Sequence, residues 1–438
     1  MQKFFEFIDR RGIAIFSLIA ITLCSVGTVM LSGGGDHDIL HAANMLGPAA
    51  SSILEHKNLD ICSDTGRNIH TCSHSGRMPL APFTLAVLYS IFHNHYLAAI
   101  WVKALLFFVP VLLAFLLAWN NAQLRGRQAR LWTLIYFTVA IALPPTLAIV
   151  ANINFEEGFY YSWLALAICV LLFPQQVRLH PTLYTAVAFV SIVFTYLSKS
   201  SMLLMASALT LLLAMWLTVV LRRFRLAAIL VLLFTCVPIA WGLYQHHAGG
   251  RFTMGTSFDG VNFYKGNNPY ILDHYPPPVG SSLDPYDASL YLDWQPVGEW
   301  SNNDGSMARA KAYIQQHPAI IVRADLRKVS LFFLSIQRYG GGGPYRPIVE
   351  DAYIAGMVLF RLMLLSAIAL SIFRIATCRG DEQFSAIAFL SSVLCAALPY
   401  IAGFALTRHA TVLILPVAAY LSSAVGRRSV SSLPSQTI

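Results

Sequence analysis

Acidic and basic side chains set beside long apolar runs are the costliest residues in this sequence, so chemistry is sought there first. Gly33-Gly34-Gly35-Asp36-His37-Asp38 follows directly on an apolar run. A carboxylate held there, Asp36 or Asp38, can act as a general base that takes the proton of an attacking hydroxyl. Two acids that merely end a helix in solvent would leave the same signature. Arg77, in Arg77-Met78-Pro79-Leu80-Ala81-Pro82, heads a short apolar stretch, where its planar fork suits a lipid phosphate. Lys199, in Leu197-Ser198-Lys199-Ser200-Ser201, lies in a very short turn between two apolar runs, and Arg408-His409 stands at the start of the last one. Singly, each cation reads equally well as an interfacial snorkelling residue. Their recurrence on one face points to an anion site, with Arg77, Lys199, Arg408 and His409 as its phosphate ligands.

Glu156 and Glu157, in Asn152-Ile153-Asn154-Phe155-Glu156-Glu157-Gly158, add two carboxylates. With Asp36 they suit a divalent cation or the orientation of an acceptor, and otherwise a solvated loop. No other cofactor is indicated: the sequence has no phosphate-binding glycine loop, dinucleotide fingerprint, nucleophile elbow or zinc-helix motif. His41, His56, His93 and His95 lack metal-type spacing, and the run Gly340 to Gly343 reads as a hinge.

The elements that must position these groups are membrane helices. Of 438 residues 56% are hydrophobic and 12% charged, with a mean hydropathy of +0.60. A soluble chain carries about a quarter charged residues, so a soluble multidomain enzyme or a disordered chain is excluded. The net charge of +9 does not mean nucleic acid, because the basic residues sit in short clusters between apolar runs. Ten runs of roughly spanning length are expected to be transmembrane helices: 12–32, 97–119, 131–150, 158–174, 181–197, 201–220, 226–244, 351–373, 384–402 and 409–425. Basic clusters at Lys3, Arg10 and Arg11, at Arg125, Arg127 and Arg130, at Arg178, at Arg222, Arg223 and Arg225, at Arg374 and Arg379, and at Arg427 and Arg428 then fall on one face. Both termini are therefore expected in the cytoplasm.

The stretch 79–92 is too short to span and reads as an interfacial helix. The first run lacks a small-residue cleavage site and reads as an uncleaved anchor. This gives an all-α polytopic chain in three parts: a transmembrane module 1–244 with a first outer loop 33–96, an outer lobe 245–350 with a helix from Met307 to Gln316, and C-terminal helices 351–438. Arg361, inside the eighth run, is expected to face protein rather than lipid. Cys62 and Cys72 lie ten residues apart in the first outer loop and are expected to be bridged. The alternatives are two free thiols or metal ligands alongside His70 and His74.

The order of these pieces resembles the GT-C superfamily of polytopic glycosyltransferases, in particular the bacterial relatives of protein O-mannosyltransferases and of the lipid A aminoarabinose transferase (glycosyltransferase family 39-like). Asp36, with Leu40 and Ala43, is similar to the family's acidic residue after the first span. Arg77 to Phe83 with Leu88 to Phe92 resembles its Pro-Pro-Leu-Tyr stretch. Lys199 resembles the lysine after the fifth span. Phe263 to Pro269, with Asn267 and Asn268, resembles a Gly-Asn-Asn-Pro segment of the large outer loop. Lys311 to Pro318 with Lys328 to Phe333 is similar to its later His-Pro and Lys-Phe-Phe segments, and Arg408-His409 with Pro416 to its terminal Arg-Tyr with Pro. Met78, His409 and Asp36-His37-Asp38 depart from the first proline of the family's pair, its tyrosine and its Asp-Glu pair.

The resemblance implies inverting transfer of a hexosyl or pentosyl group from a polyprenyl-phosphate donor to a lipid, glycan or protein acceptor at the periplasmic face of the bacterial inner membrane. Asp36 or Asp38 would be the base. The rival readings are a lipid or polysaccharide transporter or flippase, disfavoured because the charges cluster at one face and no inverted repeat is evident, and a polysaccharide polymerase or ligase, which shares the lipid-linked donor.

Overall fold

Prolines set many of the helix boundaries, because they lack an N–H to donate and restrict the residue before them. The helices Pro144–Ala151, Pro174–Leu179, Pro181–Ser198 and Pro318–Leu334 all carry proline in their first turn, where the missing donor costs nothing. The computed structural model describes residues 2–31, 46–64, 70–74, 76–93, 95–153, 156–275, 298–336 and 346–425.

Among the described residues six helices are long and apolar enough to cross a membrane: Tyr96–Gln123, Pro181–Ser198, Ser200–Val219, Phe224–Gly249, Pro347–Thr377 and Asp381–Ala402. Leu105, Leu106, Leu232 and Leu362 stand exposed on their outward faces, which water would penalise and lipid tails would not. The chain is an α-helical multi-pass membrane protein. The expected all-α class holds, with one short antiparallel hairpin, Ile61–Asp64 and His70–Ser73, added to it.

The other four expected spans differ from straight lipid-facing helices, each for a physical reason. The first lies within the helix Gln2–Leu31, whose described side chains give an apolar run of only Arg11–Gly27. The span 131–150 is a pair, Arg127–Ala142 and Pro144–Ala151, bent by 54°. Leu143 between them is extended (φ −60°, ψ 125°), since a residue before proline is pushed out of the helical region. The Thr146 hydroxyl donates to the carbonyl of Ala140 at 2.7 Å across the break.

The helix Glu157–Leu172 has 16 residues, of which only Trp163 is not buried. At about 24 Å it is shorter than the roughly 30 Å hydrocarbon core, but protein rather than lipid surrounds it. The last expected span opens as a 3-10 helix, Thr407–Leu413, and continues as Ile414–Ala424. The longer rise of the 3-10 turn brings the pair to about 30 Å. These two columns form the centre of the bundle, with Tyr161, Leu164, Ile168, Leu415 and Tyr420 all essentially inaccessible.

The stretch expected at the interface is the helix Leu80–Phe92. Phe83, Val87 and Ile91, one turn apart, are exposed along one side, while Ala81, Leu85 and Leu88 pack inward. The segment after residue 244 differs from its expected outline. Phe224–Gly249 runs past 244, the lobe helix starts at Glu299 rather than Met307, and a second helix, Pro318–Leu334, packs against Asp381–Ala402 and the 3-10 turn.

Candidate active site at the mouth of the helix bundle

The helix Asp381–Ala402 stops short at Gly403, leaving carbonyls without helical partners at the mouth of the bundle. Lobe side chains supply partners there. Asn267 Nδ2 donates to Ala402 at 2.8 Å, Lys328 Nζ to Ile401 at 3.0 Å, and the Tyr275 hydroxyl both donates to the Ala405 carbonyl (3.1 Å) and accepts from its N–H (3.0 Å). Gly266 approaches so closely that a Cβ would lie 1.8 Å from the Gly403 carbonyl oxygen. Asn268 holds its own turn, donating to Tyr264 and Lys265 and accepting from Tyr270 N–H. Neither asparagine of the resembling segment lines the cavity described next: Asn267 clasps the lobe to the mouth, and Asn268 holds the turn beside it.

A cavity of about 340 Å³ opens beside this clasp. Arg77, Glu156, Glu157, Lys199, Arg408 and His409, far apart in the chain, all line it. Lys199 is a single extended residue (φ −155°, ψ 125°) between the helices ending at Ser198 and starting at Ser200. Its amine lies 2.7 Å from Glu157 Oε1 and 3.6 Å from Glu156 Oε2. Glu156 also receives a hydrogen bond from Arg77 Nη1 at 3.1 Å, so it bridges the two cations. Glu157 opens the central helix, where the helix dipole favours a carboxylate, and is 1% exposed. These acids are not a solvated loop.

The His409 ring stacks on Tyr400 (centroids 3.8 Å apart). Its Nδ1 accepts from Leu406 N–H at 3.1 Å, which puts the ring proton on Nε2, 3.8 Å from Glu157. His409 is thus a neutral ring facing the carboxylate rather than a fourth charge beside Arg77, Lys199 and Arg408. Burial works against the charge of Lys199, but Glu157, Tyr400 and Glu156 outweigh it and hold the amine above the ordinary lysine value.

Sequence reasoning missed three cavity residues. Asp259 accepts from Thr256 N–H (2.9 Å), the Thr256 hydroxyl (3.0 Å) and the Ser200 hydroxyl (2.8 Å), and so ties the lobe to the turn that carries Lys199. Burial pushes its carboxyl up from the ordinary aspartate value, with these bonds opposing. Lys265 and Tyr400 also line the cavity, and the Lys199 amine lies 5.7 Å above the Tyr400 ring. Their signal was position within the segments 263–269 and 384–402, not residue type.

Four cations, Arg77, Lys199, Lys265 and Arg408, therefore meet three carboxylates, Glu156, Glu157 and Asp259, around one space. Arg77 Nε is buried with no hydrogen-bond partner among the described residues. The arrangement suits a monoanionic or dianionic phosphate that takes up donors not satisfied by the acids. A divalent cation fits poorly, because Glu156 and Glu157 are engaged by lysine and arginine. Among the described residues no group of three or more His, Cys, Asp or Glu side chains is placed to hold a metal ion.

Asp36 and Asp38 lie outside the described residues. His74 donates or accepts at 2.7 Å with Asp60. The hairpin register sets Cys62 directly opposite Cys72. Arg361 faces protein as expected, capping Ser335 (3.1 Å) and Phe332 (2.5 Å) carbonyls beyond the helix Pro318–Leu334.

No family model matches the chain, and no curated protein does. Among solved structures it is similar to the archaeal oligosaccharyltransferase AglB from Archaeoglobus fulgidus in complex with an inhibitory peptide and a dolichol-phosphate, at 13% identity over 93% of this chain and 50% of that one, with a TM-score of 0.44. The Archaeoglobus fulgidus oligosaccharyltransferase with Zn and sulfate is similar at 16% identity over 94% and 48%, TM-score 0.42. ArnT from Cupriavidus metallidurans in the apo state is similar at 14% identity over 91% and 77%, TM-score 0.37. The chain spans about half the length of the archaeal enzymes it matches.

Proposed function

We propose that this chain is an integral membrane glycosyltransferase that transfers a sugar from a polyprenyl-phosphate donor to an acceptor at the periplasmic face of a bacterial inner membrane. The observation that carries the reading is the convergence of Arg77, Lys199 and Arg408 on one cavity at one end of the bundle. A lipid phosphate is the leaving group that such a cluster at a membrane face suits. The ordered resemblance of the surrounding segments to GT-C enzymes supplies the rest.

In the proposed reaction the acceptor oxygen attacks the anomeric carbon from the side opposite the phosphate. The carbon–oxygen bond to phosphate breaks, the electron pair stays on the phosphate oxygen, and the acceptor proton passes to Asp36 or Asp38, giving inversion. Arg77, Lys199 and Arg408 stabilise the charge that grows on the departing phosphate. Glu156 keeps Arg77 and Lys199 oriented before the donor arrives, so less reorganisation is needed during the reaction.

The test is release of polyprenyl phosphate from polyprenyl-phosphate sugars by the full chain in liposomes, with extracted glycolipids and glycoproteins of a deletion strain supplying the acceptor. Asp36→Asn or Asp38→Asn is expected to abolish release, and the inactive variant identifies the base. Full activity in both variants overturns the mechanism.

A further inference from the structure

At the end of the bundle opposite the proposed active site, a cavity of about 840 Å³ opens between two helical turns. One turn contributes His180 and the start of the helix Pro181–Ser198; the other contributes Arg222, Arg223 and Arg225 at the start of the helix Phe224–Gly249. We propose that this cavity binds the headgroup of an anionic phospholipid.

Positive charge on this face is expected of any multi-pass protein, but Arg222, Arg223 and Arg225 stand apart from most described arginines there in sharing one cavity without a protein partner; Arg379, also without one, lies outside that cavity. Arg178 is paired with Asp381 at 2.6 Å, Arg125 donates to the Ser423 carbonyl, and Arg374 lies over the Tyr420 ring. Arg222, Arg223 and Arg225 make no side-chain hydrogen bond or ion pair with any described residue, and all three are exposed at the cavity. Arg222 also has φ 53°, in the left-handed region that favours glycine. It follows the helix Leu203–Val219, and Arg223 N–H closes the turn onto the Leu217 carbonyl at 2.8 Å. A guanidinium stands where glycine would be relaxed, beside two helix starts whose free N–H groups also favour an anion.

The apolar rim chooses a lipid over a free phosphate ion. Leu179, Leu183 and Phe224 line the same cavity and are 64%, 57% and 62% exposed. A headgroup phosphate set among the arginines would bring its glyceride and first methylenes against these side chains, whereas inorganic phosphate leaves them in water.

The test is native mass spectrometry of the full chain released from detergent with phosphatidylglycerol, cardiolipin or phosphatidylcholine supplied in equal amounts. The wild type is expected to retain an anionic lipid and lose phosphatidylcholine. Removing each arginine should weaken retention by roughly fivefold, so Arg222→Gln with Arg223→Gln and Arg225→Gln should bring it to the phosphatidylcholine level. Arg222→Gly relieves the backbone and removes one charge, so it should be at least as stable as the wild type and still bind less lipid. Arg127→Gln, on the same face, should change nothing. Equal retention of neutral and anionic lipid, undiminished retention in Arg222→Gly, or displacement of the lipid by millimolar inorganic phosphate would overturn the proposal.

Discussion

Lys103 Nζ stands 2.7 Å from the carbonyl oxygen of Asn152, and it also donates to the carbonyls of Val150 (3.2 Å) and Ile149 (3.4 Å). This lysine is 2% exposed in the apolar helix Tyr96–Gln123, and it closes the open end of the bent helix Pro144–Ala151. Its amine lies 4.8 Å from the Phe159 ring and so close to Gly158 that a Cβ there would sit 2.5 Å away. The chain that carries Glu156 and Glu157 is therefore pinned from both sides.

Lys103→Met keeps the length of the side chain and removes the donor. Buried carbonyls left unpaired cost about 1–3 kcal/mol, so the thermal inactivation midpoint should fall. Turnover of the donor should fall with it, because Glu156 and Glu157 lose their fixed register to Lys199. An unchanged midpoint would mean that water replaces the amine and that the pin is dispensable.

The pair Lys199–Glu157 makes a pH prediction with a definite sign. The folded value of Lys199 lies above its ordinary 10.5. Its stabilising contribution is then complete below about 10.5 and is lost as pH rises through the folded value. Glu157→Gln removes the strongest factor holding the proton and leaves burial, which lowers the value. Thermal midpoints followed from neutral to strongly alkaline pH should decline earlier in Glu157→Gln than in the wild type. Superimposable profiles would show that the pair does not couple to folding.

Gly266→Ala tests the clasp between lobe and bundle. The added Cβ would meet the backbone carbonyl of Gly403, which cannot rotate aside. Overpacking of this kind costs about 1–3 kcal/mol and should move the segment that ends in Tyr400 and Arg408, lowering both stability and donor turnover. Gly305→Ala is the control: it lies inside the helix Glu299–Gln316 with nothing within 4 Å of its Cβ, and alanine there should be neutral or stabilising by about 0.5–1 kcal/mol. Equal effects at the two positions would remove the clasp.

What the sequence made legible was set by cost. Arg77, Lys199, Arg408 and His409 could be picked out because charge beside apolar runs is expensive, and they do meet. Their pairing with Glu156 and Glu157 was not legible, since contact across 42 residues, as between Lys199 and Glu157, leaves no local pattern. Lys103 carried the same signal, a lone charge in an apolar helix, and was passed over. The clasp made by Asn267 leaves no local pattern either, since the Ala402 carbonyl it meets lies 135 residues away. The runs 158–174 and 409–425 look like the other expected spans because apolar runs have one appearance whether protein or lipid surrounds them. In the hairpin, Cys62 and Cys72 occupy opposed positions, and cross-strand Cα separations of about 4.5–5.5 Å fall within the range a disulfide bridges.

Arg77 gives the sharpest test of the anion site. Its Nη1 is engaged by Glu156, its plane lies 5.4 Å from the Phe258 ring, and its buried Nε has no acceptor among the described residues. One edge of the guanidinium is fixed by protein while a donor remains for phosphate. Arg77→Ala should lower kcat for polyprenyl phosphate release by about 10²-fold or more, as loss of a donor aimed at developing charge does. Arg77→Lys should recover little of it, because an ammonium cannot hold Glu156 and a phosphate oxygen in one plane. If Arg77→Ala instead raises KM with kcat unchanged, the residue binds ground state and transition state alike, and charge stabilisation passes to Lys199 and Arg408.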